Sequence, residues 1–318
     1  MLLSPAEIDY ITKSCDRNIR TDGRSRLDLR PFLIETGLLA QANGSCRLRV
    51  DATDVVVGVK AEIGSIVPER FEEGAEGDRD EDDAEVVRDV QAQTEDGGDG
   101  ATDRGRVVCS VDCAPSAAPY LSPLALQSLS AELSQSVSRL LNGPGGGLDL
   151  KSLCIIPRRT CWVLYVDAMI LDSSGHLLDP LHLAVRAALL TTQIPLVTVQ
   201  RVGTGALDLD YDVSADRTVP VNGAIGVPVT VTLHRVGTRL IADPTAQEER
   251  CATARVTVHV DGKGRVCGVK KGGKGGLEAG LVKEAVREGR RVGLDVVKGL
   301  DKVLEEEGKG QRVGFFAA

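Results

Sequence analysis

Residues 149–199 constrain this chain more than any other segment. Residues 162–171 form a nearly unbroken apolar run of strand length, and the turn Ser173-Ser174-Gly175-His176 follows closely. Asp179-Pro180 then opens a helix, with the acidic residue as N-cap and proline at the first helical position. Its apolar positions Leu181, Ala184, Val185, Ala188 and Leu189 recur at helical spacing and mark a core-facing stripe. A strand delivered through a short turn to such a helix calls for a sheet backed by helices.

The same logic runs through the rest of the chain. Residues 5–20 read as a helix, followed by an extended segment to Pro31. Cys46, Leu48 and Val50 alternate with Arg47, Arg49 and Asp51, the period of a half-buried strand. A second strand returns at 55–59 and a third lies at 107–111. Ser122-Pro123 starts a helix whose core face is Leu126, Leu129, Leu133, Val137 and Leu140, and Asn142-Gly143 ends it. Beyond residue 200, strands are expected at 227–233 and 239–242. A hairpin of 254–260 with 265–269 turns around Asp261-Gly262-Lys263-Gly264, and a long helical region spans 277–304. Strands followed by helices, seen twice, predict an α+β architecture. The expected division is an N-terminal helix and extended segment (1–30), a first half (31–200) and a second half with C-terminal helices (201–318).

The formal net charge of −8 is unevenly spread. Residues 69–106 hold 15 acidic and 5 basic residues, a net of −10, which leaves the remainder at +2. This block is rich in Gly, Asp and Glu and poor in large apolar side chains, so a disordered, solvent-exposed insertion is expected there. The near-neutral body gives no electrostatic support for a polyanionic partner. Aromatic residues make up only 3% of the chain, so base-stacking platforms are scarce, and any RNA contact would be electrostatic and blind to sequence. The eight cysteines lack zinc-site spacing, as expected of reduced, packed thiols. Met1-Leu2-Leu3-Ser4-Pro5 lacks the basic start of a signal peptide, and no segment reaches membrane-spanning length, so no membrane partner is expected.

Three motifs in this order resemble the RNase PH family. The first is Arg20-Thr21-Asp22-Gly23-Arg24, followed by Arg30-Pro31 and Asn43-Gly44-Ser45-Cys46. The second is the 149–199 segment, with Pro157-Arg158-Arg159-Thr160-Cys161-Trp162 ahead of the Gly175 turn. The third is Asp243-Pro244-Thr245-Ala246-Gln247-Glu248-Glu249, with Gly314-Phe315 near the end. Within the family, the resemblance is to eukaryotic RNA exosome ring subunits of the ribosomal-RNA-processing forty-two type. It implies an RNase PH-like (ribosomal protein S5 domain 2-like) fold of two similar β-α halves.

Phosphorolysis needs cations that grip phosphate and an acidic group or metal near the leaving oxygen. Active relatives carry Gly-Thr-Arg or a similar motif after this strand. Here the turn reads Gly175-His176-Leu177-Leu178, so Gly175 and His176 are a degenerate phosphate site. His176 is then a lone imidazole with a structural or solvent role, or a phosphate contact. The helix after the first sheet carries only Arg139, near its far end. Asp208-Leu209-Asp210-Tyr211-Asp212 resembles the acidic run of active enzymes, but residues 219–227 contain no carboxylate. Asp208 and Asp210 therefore cap a strand end or are a metal-binding remnant. No catalytic residue, metal or cofactor is expected.

Gly268-Val269-Lys270-Lys271-Gly272-Gly273-Lys274 fits Gly-x-x-x-x-Gly-Lys, but Gly275 replaces the Ser/Thr that would hold magnesium and the context is antiparallel. Nucleotide binding is therefore not expected. Lys270, Lys271 and Lys274, with Lys263 and Arg265, read instead as a flexible basic surface. It touches an RNA backbone, touches a neighbouring subunit, or is simply solvated. Family analogy places Arg20, Asp22 and Arg24 at a contact between subunits, pairing with carboxylates rather than RNA.

The resemblance therefore implies a catalytically silent exosome ring subunit. Such a subunit forms a heterodimer within a six-subunit ring of RNase PH-type proteins topped by S1/KH cap proteins. It lines the channel that carries RNA for 3′-to-5′ processing, in the nucleus and nucleolus and also the cytoplasm. The rival reading is an active phosphate-dependent 3′-to-5′ exoribonuclease.

Overall fold

The computed structural model describes residues 3–66, 103–201, 209–307 and 314–315. Helix α1 (Pro5–Asp16) opens with a capping box, in which Glu7 N donates to the Ser4 hydroxyl and Ser4 N donates to the Glu7 carboxylate. It stops short of the expected residue 20 because Asn18 turns left-handed at φ 60°.

The first sheet contains β1 (Phe32–Thr36), β2 (Gly44–Val50), β3 (Thr53–Ser65), β4 (Arg106–Cys113), β5 (Cys154–Ile156) and β6 (Thr160–Asp172). A last strand, Gly314–Phe315, pairs with β1, with Phe32 opposite Phe315. From that strand the order runs through β1, β2, β3 and β6 to β4, and β5 pairs with β6. Among the described residues of this sheet, only β4 and β6 run parallel. Most of the acidic block falls on 67–102, outside the described residues, and its last residue, Arg106, already belongs to β4.

Helix α2 (Pro123–Asn142) starts at Ser122-Pro123 as the sequence predicts, with Ala125 N donating to the Ser122 hydroxyl. It covers the edge strand β4. The backbone N–H groups of Val111 and Cys113 donate to the hydroxyls of Ser134 and Ser130, which blunts that edge.

Helix α3 (Leu178–Thr191) departs from the expected single stripe. Every residue from Pro180 to Leu189 is buried, including His182 and Arg186. The helix packs on β2 and β3 with one side and on the second sheet with the other. An almost wholly apolar helix is what such a central position requires. Asp179 is also not the N-cap. The N-cap is Leu177, two residues earlier, and the Asp179 carboxylate accepts from Thr232 N and Thr232 Oγ1, both at 2.7 Å.

Strands β7 (Gln193–Arg201) and β8 (Leu209–Pro220) form a two-stranded antiparallel ribbon that the sequence reading did not foresee. The expected division at residue 200 cuts through it. The second sheet follows, with β9 (Val229–Val236), β10 (Arg239–Ala242), the short helix α4 (Ala246–Cys251), β11 (Ala254–Val260) and β12 (Val266–Gly272). Its order is β10-β9-β11-β12, antiparallel throughout. Helix α5 (Ala279–Glu307) lies against β11 at close range. A Cβ added at Gly289 would sit 2.9 Å from the Val258 side chain, and one at Gly293 would sit 3.0 Å from that of Val260. Strand alternation then turns Thr230, Thr232, His234, Thr257 and His259 to the other face, against α3.

A candidate site on the seam between the two halves

Two of the family-like motifs meet in space although their key residues stand 228 positions apart. Arg20 donates through Nε and Nη2 to the two oxygens of Glu248 at 3.0 and 2.6 Å, and to the carbonyls of Ala242 and Asp243. Both side chains are wholly buried. Arg30 forms a second fork on Asp243, at 2.6 and 2.9 Å, and donates through Nη1 to the Ser174 hydroxyl. Arg24 adds a bond to Asp243 at 3.0 Å and another to Asp22 at 2.7 Å. Burial alone would raise the Asp243 carboxyl, but the Arg30 guanidinium outweighs it and holds the group below the usual carboxylate range.

This clasp corrects the expectation for Arg20. A side chain with no accessible surface in its own chain has nothing to offer a neighbouring subunit. Asp22 and Arg24 keep some exposure and pair with each other.

The turn after β6 docks onto the clasp. Gly175 has φ +151° and bridges to Thr245, and a Cβ there would lie 2.6 Å from the Pro244 carbonyl oxygen. Ser174 N donates to Thr53 Oγ1 at 3.0 Å. Glycine at this position therefore serves close packing of backbone on backbone.

His176 is not the lone imidazole expected from the sequence. It is buried, with Nε2 3.3 Å from Asp179 Oδ1 and Nδ1 3.6 Å from Glu249 Oε1. Its ring meets that of His234 edge-on, centroids 4.7 Å apart. Burial pulls His176 down, but Asp179 and Glu249 overcome it and raise its pKa to about 9. His234 shows the opposite behaviour, pushed down to about 3 by burial and by the His176 charge. Neither of its ring nitrogens has a hydrogen-bond partner.

Further along the seam, His182 Nδ1 bonds Thr230 Oγ1, which in turn lies 2.9 Å from His259 Nδ1. Burial and the neighbouring His259 lower His182 to about 3. All four histidines of the chain lie in this seam. Among the described residues, the donor atoms of His176, His234 and Glu249 converge as a metal site would need. The sequence reading missed this set because its members come from a turn, a strand and a short helix. The available signal was the confinement of every histidine to 176–259, with His234 two and four residues beyond Thr232 and Thr230 on the face those threonines share.

A cavity of about 250 Å³ opens beside the turn. Gly175, His176 and Glu249 line one side, and Glu132, Arg255 and Lys270 also face it. Arg255 donates to Glu132 at 3.4 Å. The cavity thus brings Gly175, His176 and Lys270 together, while Lys263, Arg265, Lys271 and Lys274 do not line it.

The basic loop is in part a strand. Lys270 and Lys271 sit on β12, so their side chains point to opposite faces and cannot form one patch. Lys271 donates to the Gly273 carbonyl, and Arg265 pairs with Asp261 at 2.7 Å. Lys263 and Lys274 are exposed on turns. The Gly-x-x-x-x-Gly-Lys stretch lies along this antiparallel strand and its following turn, and α5 begins only at Ala279. Asp208 lies outside the described residues. Asp210 is on β8, where its carboxylate accepts from Tyr211 N, and it does not line the cavity.

Two sheets flanking a central helix, with a glycine turn at the seam, define an RNase PH-type chain. The family profiles agree: 3′ exoribonuclease family domain 1 matches residues 28–195 and domain 2 matches 226–292. The chain belongs to this family. It is 31% identical to the "Putative exosome complex exonuclease RRP42" of Dictyostelium discoideum, covering 96% of this chain and 98% of that protein. It is 30% identical to the exosome complex component Rrp42 of Methanothermobacter thermautotrophicus, covering 92% and 94%. Among solved structures, a chain of the Archaeoglobus fulgidus exosome with RNA bound to the active site matches with TM-score 0.68 at 26% identity, covering 94% of this chain and 98% of that one. Rice Rrp46, at 14% identity and TM-score 0.56, shares the fold.

Proposed function

We propose that this chain is a ring subunit of an RNA exosome core, of the Rrp42 type, which supports 3′-to-5′ RNA processing without performing phosphorolysis itself. One observation carries the second part. The turn that should grip phosphate presents no uncompensated cation: the charge on His176 is buried between the Asp179 and Glu249 carboxylates, and Leu177 and Leu178 pack against the core. The other cations that face the cavity are Arg255, already paired with Glu132, and Lys270. No aspartate lines it among the described residues. Positioned positive charge is most of what phosphoryl transfer asks of a protein, so this arrangement supports a scaffold over a catalyst. In this reading the partners are the other RNase PH-type subunits, S1/KH cap proteins and RNA in transit. The compartments are nucleus, nucleolus and cytoplasm.

The test is phosphorolysis by the purified assembly in the presence of RNA, phosphate and magnesium. Asp210→Ala should leave the release of nucleoside diphosphates unchanged. A tenfold fall with the assembly intact would establish the rival, an active exoribonuclease. If Lys270 touches RNA, Lys270→Ser should reduce the salt slope of RNA binding by roughly one unit.

A further inference from the structure

We propose that His176, His234 and Glu249 bind one divalent transition-metal ion of the zinc class. The inference starts from His234. It is 2% exposed, yet neither ring nitrogen has a partner, and buried polar groups are otherwise almost always bonded. Its donor atoms and those of His176 and Glu249 all lie within 4.8 Å of one another. Around a tetrahedral zinc with bonds of about 2.0–2.1 Å, ligand atoms stand roughly 3.3 Å apart, so side-chain rotations that shorten the widest separation by about 1.5 Å close the set.

The donor chemistry narrows the ion. Two imidazoles and one carboxylate suit zinc, cobalt, nickel or copper, whereas magnesium and calcium prefer oxygen alone. Arg255 and Lys270 on the cavity wall work against a loosely held hydrated cation, so binding must come from direct coordination. The supporting layer is already built. Asp179 stands 3.3 Å behind His176 Nε2 and is itself fixed by Thr232, which leaves Nδ1 directed at Glu249. His176 and Glu249 line the cavity, which gives the ion a way in. Binding displaces the proton on His176 Nδ1 to solvent. The ion would join the turn before α3 to β9 and α4, and so cross-link the two halves. It does not depend on whether the chain is catalytic.

The experiment uses the full-length chain, stripped with chelator and titrated with Zn²⁺ or Co²⁺. One equivalent should bind, Zn²⁺ should raise the melting temperature, and bound Co²⁺ should show the visible absorption of a tetrahedral nitrogen–oxygen site without a thiolate charge-transfer band. His234→Gln and the partly exposed Glu249→Gln should each weaken binding at least tenfold. Glu249→Gln carries the test should His234→Gln fold poorly. Failure to retain any ion would overturn the proposal, as would uptake unaffected by Glu249→Gln or a cobalt–thiolate band, which would assign the ion to cysteines.

Discussion

Two buried polar clusters sit side by side on the seam, and they are built on opposite plans. In the clasp, Arg20, Arg24 and Arg30 face Glu248, Asp243 and Asp22, with forked bonds and backbone carbonyls taking up the guanidinium donors. In the histidine cluster, two nitrogens of His234 and one of His182 have no partner. Burial is similar, and the difference is saturation. A saturated cluster fixes geometry and is damaged by losing any member. An unsaturated one tolerates losing its unpaired members, because they contribute little until something binds them.

The largest effect should come from cutting the clasp. Arg20→Met leaves the Glu248 carboxylate buried without its counter-ion, with only the Thr245 N–H still donating to it, and should cost about 3–5 kcal/mol in urea unfolding. A loss below about 1 kcal/mol would abolish the contrast between the clusters. Next comes the turn that joins them. Gly175→Ala combines an unfavourable φ with a backbone clash, and should cost about 1–3 kcal/mol, with the same measurement as check. If it costs nothing, the turn is not docked as described.

The acid limb should belong to the clasp. Asp243 titrates lower folded than its ordinary value of 3.8. Its contribution to stability is therefore complete above that value and lost as pH falls through the lower, folded one. Melting temperatures taken downward from pH 6 should fall less steeply for Asp243→Asn than for the parent. Parallel slopes would move the acid sensitivity elsewhere. The smallest effect is expected at His234. In chelator, His234→Leu removes unpaired polar atoms and should change stability by less than about 1 kcal/mol, or raise it. A loss comparable to that of Arg20→Met would mean that His234 is already bonded to something in the resting protein.

Local chemistry made much of the fold legible. Ser122-Pro123 started α2 where expected, and the alternation around Cys46–Val50 and the Asp261–Gly264 turn placed β2 and the β11–β12 hairpin. Asp179 shows where such reasoning stops. Asp-Pro is a good helix opening in isolation, but the carboxylate has a stronger use 53 positions away on Thr232. The candidate site was hidden for the same reason. The first and third motifs were visible as separate strings, yet nothing in either says that Arg20 closes on Glu248. His176 looked solitary because His234 and Glu249 reach it only through the pairing of the second sheet around α3. The apolar character of α3 itself was the readable sign of a helix enclosed on all sides.

That enclosure has a consequence for how the protein is made. When about two hundred residues have left the ribosome, α3 can settle on β2 and β3, but its other side still faces solvent. The strands that cover it are still to be synthesised. At about 5–20 residues per second, roughly ten seconds pass before β9, β11 and α5 emerge. During that interval the nascent chain holds an apolar helix face with no sheet over it, the kind of surface that chaperones recognise and that aggregates when left alone. Completion of the second sheet is therefore also the step that makes the first half safe.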